Sequence, residues 1–208
     1  MVENQLRPNK ITDPRILSIF NEIKKEQFLN NDLQSIAYSD VDLNLTGNRG
    51  YLKNLHIAQL IQHSNITKKD KVLHIGGLTG YVTSILSQLS DYLVVIENDQ
   101  GLLKQLKENL SKLKLINVEI INSDLRSGYK EKSPYDLIFI DCPVNNVSNE
   151  ILDQLNLNLG RVITIEKINS DLGKGVRITK NKKNYNKEIL FDAFSKLTLY
   201  RHKKEFIF

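Results

Sequence analysis

The sequence predicts a doubly wound α/β fold with a mostly parallel sheet, and three observations lead to this prediction. Residues 71–81 read as a buried strand, a glycine turn and the first turn of a helix. Strand-like and helix-like segments then alternate as far as residue 165. Beyond it, two strand-like segments flank a polar run, which is typical of antiparallel strands. This order favours a parallel core that helices cover on both faces.

Two helices are predicted before this core. Asp13 and Pro14 are typical of a helix start, because the carboxylate caps the first turn and proline fits within it. Apolar residues with helical spacing follow, and they are Ile16, Leu17, Ile19, Phe20 and Ile23. Residues 28–50 are polar and are predicted to be irregular. A second helix is predicted from about Asn54.

The central βα unit carries the most informative residues. Residues 72–75 form the predicted strand, and glycines follow at positions 76, 77 and 80. Glycine permits a tight turn and lets backbone N–H groups approach a ligand closely. Residues 92–96 predict the next strand, and Glu97 closes it with a carboxylate suited to the two hydroxyls of a ribose. The pattern therefore predicts a site for a nucleotide-like ligand.

The next segments continue the alternation. Residues 100–114 carry leucine and lysine at helical spacing, which predicts an amphipathic helix with a solvated lysine face. Residues 117–121 and 135–141 predict two further parallel strands. Ser148 is the predicted N-cap of a helix that reaches about Leu157.

The end of the chain breaks the alternation. Gly160 is predicted to turn the chain into a strand at 161–165. Residues 176–179 and 188–191 flank a polar run and predict a hairpin, and residues 205–208 predict a last edge strand.

Composition predicts a single domain. The 208 residues are 40% hydrophobic and 25% charged, which is ordinary for a globular chain with a substantial core. We divide the domain into an N-terminal helical cap at 1–65, a cofactor-binding βα core at 66–170 and C-terminal strands at 171–208. The net charge of +5 is too small a bias to predict a nucleic-acid partner.

Other features limit the compartment and the chemistry. The single cysteine, Cys142, excludes an internal disulfide and gives no zinc spacing, so no metal site is predicted. No stretch approaches the roughly 20 apolar residues of a membrane span. The first residues lack the form of a signal peptide. A cytoplasmic location without a membrane partner is expected, and the sequence does not specify the oligomeric state.

Several segments in a fixed order carry a resemblance to a known family. They are 4–8, 13–28, 37–40, the glycine turn, Glu97, Asp124, the strand to Asp141, 152–155, 159–161 and 190–193. The chain resembles the class I S-adenosylmethionine-dependent methyltransferases, which implies their seven-stranded, mostly parallel Rossmann-like sheet with N-terminal helices and antiparallel C-terminal strands. More narrowly, it resembles the protein-L-isoaspartate O-methyltransferase family in a divergent bacterial form. The resemblance implies S-adenosylmethionine as cofactor and repair of damaged Asp/Asn sites in a protein or peptide substrate.

The resemblance also implies a set of cofactor-binding residues. The set is His74, Gly76, Gly77, Gly80, Glu97, Asn98, Asp124, Leu125 and Asp141. By this resemblance, Gly76 and Gly80 shape the loop around the methionine part of the cofactor. Glu97 holds the ribose hydroxyls, and Asp124 with Leu125 faces the adenine. Asp141 lies where cofactor and substrate meet.

Three positions depart from the family pattern. His74 stands where the family's strand has an acidic residue, and we expect a strand histidine that the backbone satisfies. Leu78 replaces the middle glycine of Gly-x-Gly-x-Gly and is expected either to crowd the cofactor or to force a different turn. Leu52 stands where the family has a hydroxyl-bearing residue, and Thr46 is the nearest upstream alternative. Because of His74 and Leu78, a non-catalytic binding protein with this fold is a second hypothesis.

The implied chemistry needs no named catalytic residue. An acceptor carboxylate with a pKa of about 4 is already ionised at pH 7, so its methylation requires no general base. Alignment alone is worth up to about 7–11 kcal/mol. A methyltransferase with an RNA or small-molecule acceptor is a third hypothesis, which rests on the basic excess only. A dinucleotide dehydrogenase fits the glycine spacing less well.

Overall fold

The structure is a computed structural model that describes residues 1–182 and 184–200. Its α-helices in these residues are α1 Pro14–Glu22, α2 Asn31–Gln34, α3 Asn54–Ser64, α4 Tyr81–Ser87, α5 Gln100–Lys112 and α6 Asn149–Leu152. Its strands are β1 Leu43–Thr46, β2 Arg49–Tyr51, β3 Lys71–Ile75, β4 Tyr92–Glu97, β5 Val118–Asn122, β6 Leu137–Ile140, β7 Asn158–Lys167, β8 Leu172–Asn181 and β9 Asn184–Phe194. Short helical turns cover Val2–Leu6, Arg7–Asn9, Lys25–Phe28 and Lys130–Lys132.

The central sheet has the order β5-β4-β3-β6-β7-β8-β9. Neighbours from β5 to β7 run parallel, whereas β8 and β9 are antiparallel additions. The strand order reverses between β3 and β6, and open α/β sheets bind ligands at such a switch point, beyond the carboxyl ends of the strands. The predicted fold class is confirmed.

The core lies around the inner strands. Every residue of β6 is buried, and so are all residues after the first in β3 and β4. Such continuous burial is expected where helices cover both faces of a parallel sheet. The amphipathic pattern of α5 is confirmed, because its buried residues are all leucines.

The N-terminal region contains one correction. Asp13 caps α1, with its carboxylate accepting from the backbone N–H of Arg15 at 2.9 Å, as predicted. Residues 28–50 were predicted to be irregular, and this is wrong for two parts, because they contain α2 and most of the β1–β2 hairpin. Leu43 pairs with Tyr51 in that hairpin and both side chains are buried, so core packing gives order to a sequence that is polar on average.

The helix after Ser148 is shorter than predicted. Ser148 caps α6 as expected, but the helix ends at Leu152 and does not reach Leu157. The backbone beyond it pairs with Tyr135, whose N–H donates to the carbonyl of Gln154 at 2.9 Å. Tyr135 in turn accepts from the N–H of Asn156 at 2.8 Å. A bridge to the neighbouring strand thus replaces the last turns of the predicted helix.

The C-terminal hairpin is confirmed as β8 and β9, which are both longer than the predicted segments. The predicted strand at 205–208 lies outside the described residues. No helix in the described ranges has the length and apolar character needed to cross a membrane. The division into cap, core and C-terminal strands stays a prediction.

Candidate functional site

The carboxyl ends of the parallel strands bring the predicted glycine turn and two predicted carboxylates to one edge. Gly76 follows β3, Glu97 ends β4 and Asp141 follows β6. The backbone N–H groups of Gly76 and Gly77 both donate to the carbonyl of Ile96, at 3.0 and 3.1 Å. These bonds hold the turn against the end of β4, next to the Glu97 carboxylate.

The turn itself has a left-handed backbone at three positions. Gly76 and Gly80 have φ of +87° and +102°, and Leu78 between them has φ of +51°. The leucine therefore keeps the left-handed conformation that favours glycine, at a cost of about 1–2 kcal/mol. Its side chain is fully buried in the hydrophobic core, and its N–H donates to Glu97 Oε2 at 3.0 Å. The interior position of this side chain explains how the substitution is tolerated.

Glu97 is fully buried and accepts five hydrogen bonds. Arg49 from β2 donates to both carboxylate oxygens, each at 2.7 Å, in a bidentate pair. Backbone N–H groups supply the other three donors, from Leu78, Asn98 and Asp99, at 2.9 to 3.0 Å. Burial by itself lowers the pKa of Arg49, but the hydrogen bonds and charge of Glu97 outweigh it and leave the pKa raised. Such a charge-assisted pair is strong and directional.

A segment after β9 lies across the same edge. We call residues 198–200 the C-terminal strap. The N–H of Thr198 donates to the carbonyl of Asn48, and that of Leu199 donates to the carbonyl of Pro143, both at 2.8 Å. Leu199 is buried, and a Cβ added at Gly76 would lie 2.9 Å from its Cδ1 atom and 3.4 Å from Arg49 Nη2. The space over the first glycine of the turn is therefore filled by the protein itself.

The strap continues to the predicted adenine side. The Tyr200 hydroxyl donates to the carbonyl of Leu125 at 2.9 Å, and the Arg126 guanidinium lies 5.4 Å from the centre of the Tyr200 ring. Asp124 is exposed and caps its own turn, with Oδ1 accepting from the N–H of Arg126 at 3.1 Å. Burial is the main cause of a raised Tyr200 pKa, and the Asp124 charge adds to it. Tyr200 thus lies where the resemblance places the adenine.

His74 and Asp141 form a second buried group. His74 Nδ1 lies 3.0 Å from the hydroxyl of Thr83, so the partner of this nitrogen is a side chain, and the expectation of a backbone partner is wrong. Its Nε2 lies 3.4 Å from Asp141 Oδ2 without making a hydrogen bond. Both Asp141 oxygens and Arg49 Nε are buried, and none of them has a hydrogen-bond partner among the described residues. Buried polar groups are normally satisfied, so this group has unused bonding capacity.

Lys25 is a buried cation near this edge that the sequence did not single out. Its Nζ donates to Asn54 Oδ1 at 3.0 Å and to the carbonyl of Leu52 at 3.4 Å. The same nitrogen lies 5.4 and 5.6 Å from the ring centres of Tyr51 and Tyr81. Burial lowers the pKa of Lys25 to about 7.

An open cavity of about 410 Å³ borders the Arg49–Glu97 pair. Its lining residues are Thr46, Asn48, Arg49, Asn98, Asp99, Thr198 and Leu199. Thr46, the predicted alternative hydroxyl, therefore lines an accessible space. Leu52 stands at the position where the family has a hydroxyl-bearing residue. Its side chain is buried, and its carbonyl accepts a hydrogen bond from Lys25.

The residues do not fit S-adenosylmethionine as they are placed. The carboxylate expected to hold a ribose already accepts five donors, two of them from Arg49. The first glycine of the turn, whose backbone a ligand should approach, is covered by Leu199. The residue types of a cofactor cleft are present, but the protein's own side chains occupy the space.

Comparison with known proteins decides the family. The model of the protein-L-isoaspartate(D-aspartate) O-methyltransferase family matches residues 1–196. The chain belongs to this family. A protein-L-isoaspartate O-methyltransferase of Protochlamydia amoebophila is 30% identical over 163 residues, which are 78% of this chain and 77% of that protein. One of Herpetosiphon aurantiacus is 31% identical over 156 residues, covering 75% and 70% of the two chains.

A solved structure of a protein-L-isoaspartate O-methyltransferase agrees with the fold. It superposes with a TM-score of 0.81 and 25% identity over 97% of this chain. The present chain covers 66% of that protein's length. The predicted family and fold are confirmed, and the enzyme class of the family is the predicted one, a methyltransferase.

The glycine turn and the carboxylates at the strand ends of this family member were predicted from the sequence. The residues that close the cleft were not. Arg49 belongs to a stretch predicted to be a loop, and its partner Glu97 lies 48 positions away. Leu199 and Tyr200 follow β9 in a segment without a distinctive motif. No signal in the sequence brings these residues to the glycine turn.

Proposed function

We propose that this chain transfers a methyl group from S-adenosylmethionine to the carboxylate of L-isoaspartyl residues in proteins or peptides, as a first step of repair. The observation that carries the proposal is the family match over residues 1–196, together with relatives that are named for this activity. Its proposed setting is the cytoplasm.

The cofactor site we propose is the carboxyl edge of β3, β4 and β5. Its residues are the predicted set His74, Gly76, Gly77, Gly80, Glu97, Asn98, Asp124, Leu125 and Asp141. The buried Glu97 beside a glycine turn supports this assignment, because a carboxylate at that strand end is suited to ribose hydroxyls.

A carboxylate acceptor suits the chemistry of the groups around the cleft. The acceptor is ionised at neutral pH, so this chain need not remove a proton. At this edge the side chains of His74, Glu97 and Asp141 are buried. The neighbouring cavity offers the neutral hydrogen-bonding side chains of Thr46 and Asn48, which are suited to orienting a peptide.

A matched pair of peptides tests the proposal. The purified chain, S-adenosylmethionine and a peptide with one isoaspartyl residue should give a base-labile methyl ester, whereas the same peptide with aspartate should not. The acceptor control is an unmodified RNA. Ester on neither peptide, with binding of S-adenosylhomocysteine intact, would contradict the proposed acceptor and favour a different one.

A further inference from the structure

Three side chains lie in the cleft that the proposed function needs open. Arg49 holds the carboxylate at the end of β4, Leu199 covers the first glycine of the turn, and Tyr200 bonds to the carbonyl of Leu125. These contacts coincide with the proposed ribose, methionine and adenine positions. The three come from two distant parts of the chain, the β1–β2 hairpin and the segment after β9.

We propose that Arg49 and the C-terminal strap form an internal plug of the cofactor cleft. The chain is then closed when free of ligand, and a cofactor binds only a state in which both parts have moved away. This inference rests on the proposed function in one respect, because it takes the cofactor to be S-adenosylmethionine.

The strap has few regular contacts that would prevent its release. Among residues 1–182 and 184–200 it has no helix or strand pairing, since β9 ends at Phe194. Its backbone is held by one hydrogen bond at Thr198 and one at Leu199. Lys167 anchors the chain just before it by donating to the carbonyl of Leu197 at 3.1 Å, so movement of the strap leaves β9 in place.

Departure of Arg49 leaves neither member of the pair without partners. Glu97 keeps three backbone N–H donors, from Leu78, Asn98 and Asp99, so its buried carboxylate stays hydrogen-bonded. Asp141 has two buried oxygens without hydrogen-bond partners in the described part of the chain, and its charge already acts on Arg49. A buried carboxylate that has no hydrogen-bond partner in that part of the chain, and whose charge acts on Arg49, is therefore available to the released guanidinium.

If Arg49 and the C-terminal strap form a plug, substitutions that remove their contacts should strengthen cofactor binding. The observed dissociation constant of a ligand equals its intrinsic value divided by the fraction of open molecules. Removal of a buried leucine side chain or of a bidentate ion pair changes the equilibrium between closed and open molecules by about tenfold or more. Variants of binding-site residues ordinarily lose affinity, so a gain is specific to a plug.

Calorimetric titration with S-adenosylhomocysteine tests this on the full chain. Arg49→Ala and Leu199→Ala should each bind about tenfold more tightly than the wild type. Two matched controls should stay within twofold: Lys196→Ala, an exposed position beside the strap, and Arg177→Ala, which loses an ion pair to Glu188 in the C-terminal hairpin. Unchanged or weaker binding by both plug variants, or no binding by any form, overturns the proposal.

Hydrogen exchange of the wild type avoids dependence on variant folding. Saturating S-adenosylhomocysteine should remove protection from the amides of Thr198 and Leu199, whereas protection that persists in the bound form overturns the plug. The peptide assay separates this from the proposed function. Tighter binding by the plug variants without ester on the isoaspartyl peptide leaves the plug standing and removes the acceptor.

Discussion

Lys25 gives the chain a stability that rises with pH in the neutral range. Its ammonium group is buried under two tyrosine rings and donates to Asn54 Oδ1 and to the carbonyl of Leu52. Burial lowers its pKa from 10.5 to about 7, and the charges of Asp42 and Asp141 offset this only in part. Between these two values the unfolded chain holds a proton that the folded chain has released, so raising the pH favours the folded state.

The magnitude follows from the two pKa values. Integration from pH 7 to pH 9 gives an increase of about 2 kcal/mol in the free energy of unfolding. The range ends at pH 9 because a second group then acts in the opposite direction: burial raises the pKa of the Cys142 thiol in the folded chain. Above pH 9 the unfolded chain loses that proton first, and this destabilises the folded state.

Urea denaturation at pH 7, 8 and 9 measures the effect, with Lys25→Gln as the matched variant. Glutamine carries no charge, and its amide retains a donor for Asn54 Oδ1. Subtraction of the two pH profiles cancels every other titrating group. Parallel profiles would refute the reasoning, because they would mean that Lys25 keeps an ordinary pKa in the folded chain.

Three further outcomes test the structure. Leu78→Gly should lower the free energy of unfolding by about 2 kcal/mol in urea titrations, because lost burial of about 2–5 kcal/mol exceeds the relief of left-handed strain; a stabilised variant would contradict the interior position of this side chain. His56 stacks on Phe191, and burial lowers its pKa to about 4. His56 should therefore contribute a fall of about 2 kcal/mol in the free energy of unfolding from pH 6.5 to 4.5, and His56→Gln should reduce the total fall by that amount, while the lowered pKa of His63 contributes in both proteins. Arg161→Met should cost about 3 kcal/mol in thermal unfolding, because it leaves Asp70 without the guanidinium 2.7 Å away, whereas a near-neutral result would show that this pair is well solvated.

Local sequence signals predicted the helix starts correctly because these signals act over short distances. Asp13 and Ser148 cap the helices they were predicted to cap, since capping needs only the next turn of chain. The error at Leu157 has the opposite origin. The backbone groups of Gln154 and Asn156, just before it, pair with Tyr135, and helical periodicity carries no information about that partner.

The candidate site shows the same limit more sharply. The strand ends fixed the positions of Gly76 and Glu97, because parallel strands place their carboxyl ends at one edge. The state of that edge depends on Arg49 and Leu199, which reach it from other parts of the chain. The spacing of residues in the sequence therefore predicts a cleft at this edge. The side chains that fill the cleft are known only from the tertiary contacts.

The closed cleft has a consequence for the lifetime of the ligand-free protein. A cofactor site that stands empty exposes polar backbone and loosens the loops around it, and proteases cleave chains through such openings. Here the bidentate pair at Glu97 and the buried Leu199 side chain cover the glycine turn with contacts from the protein itself. Scarcity of cofactor in the cell should therefore leave the abundance of this protein unchanged, and chase experiments in starved cells should find the same half-life as in fed ones.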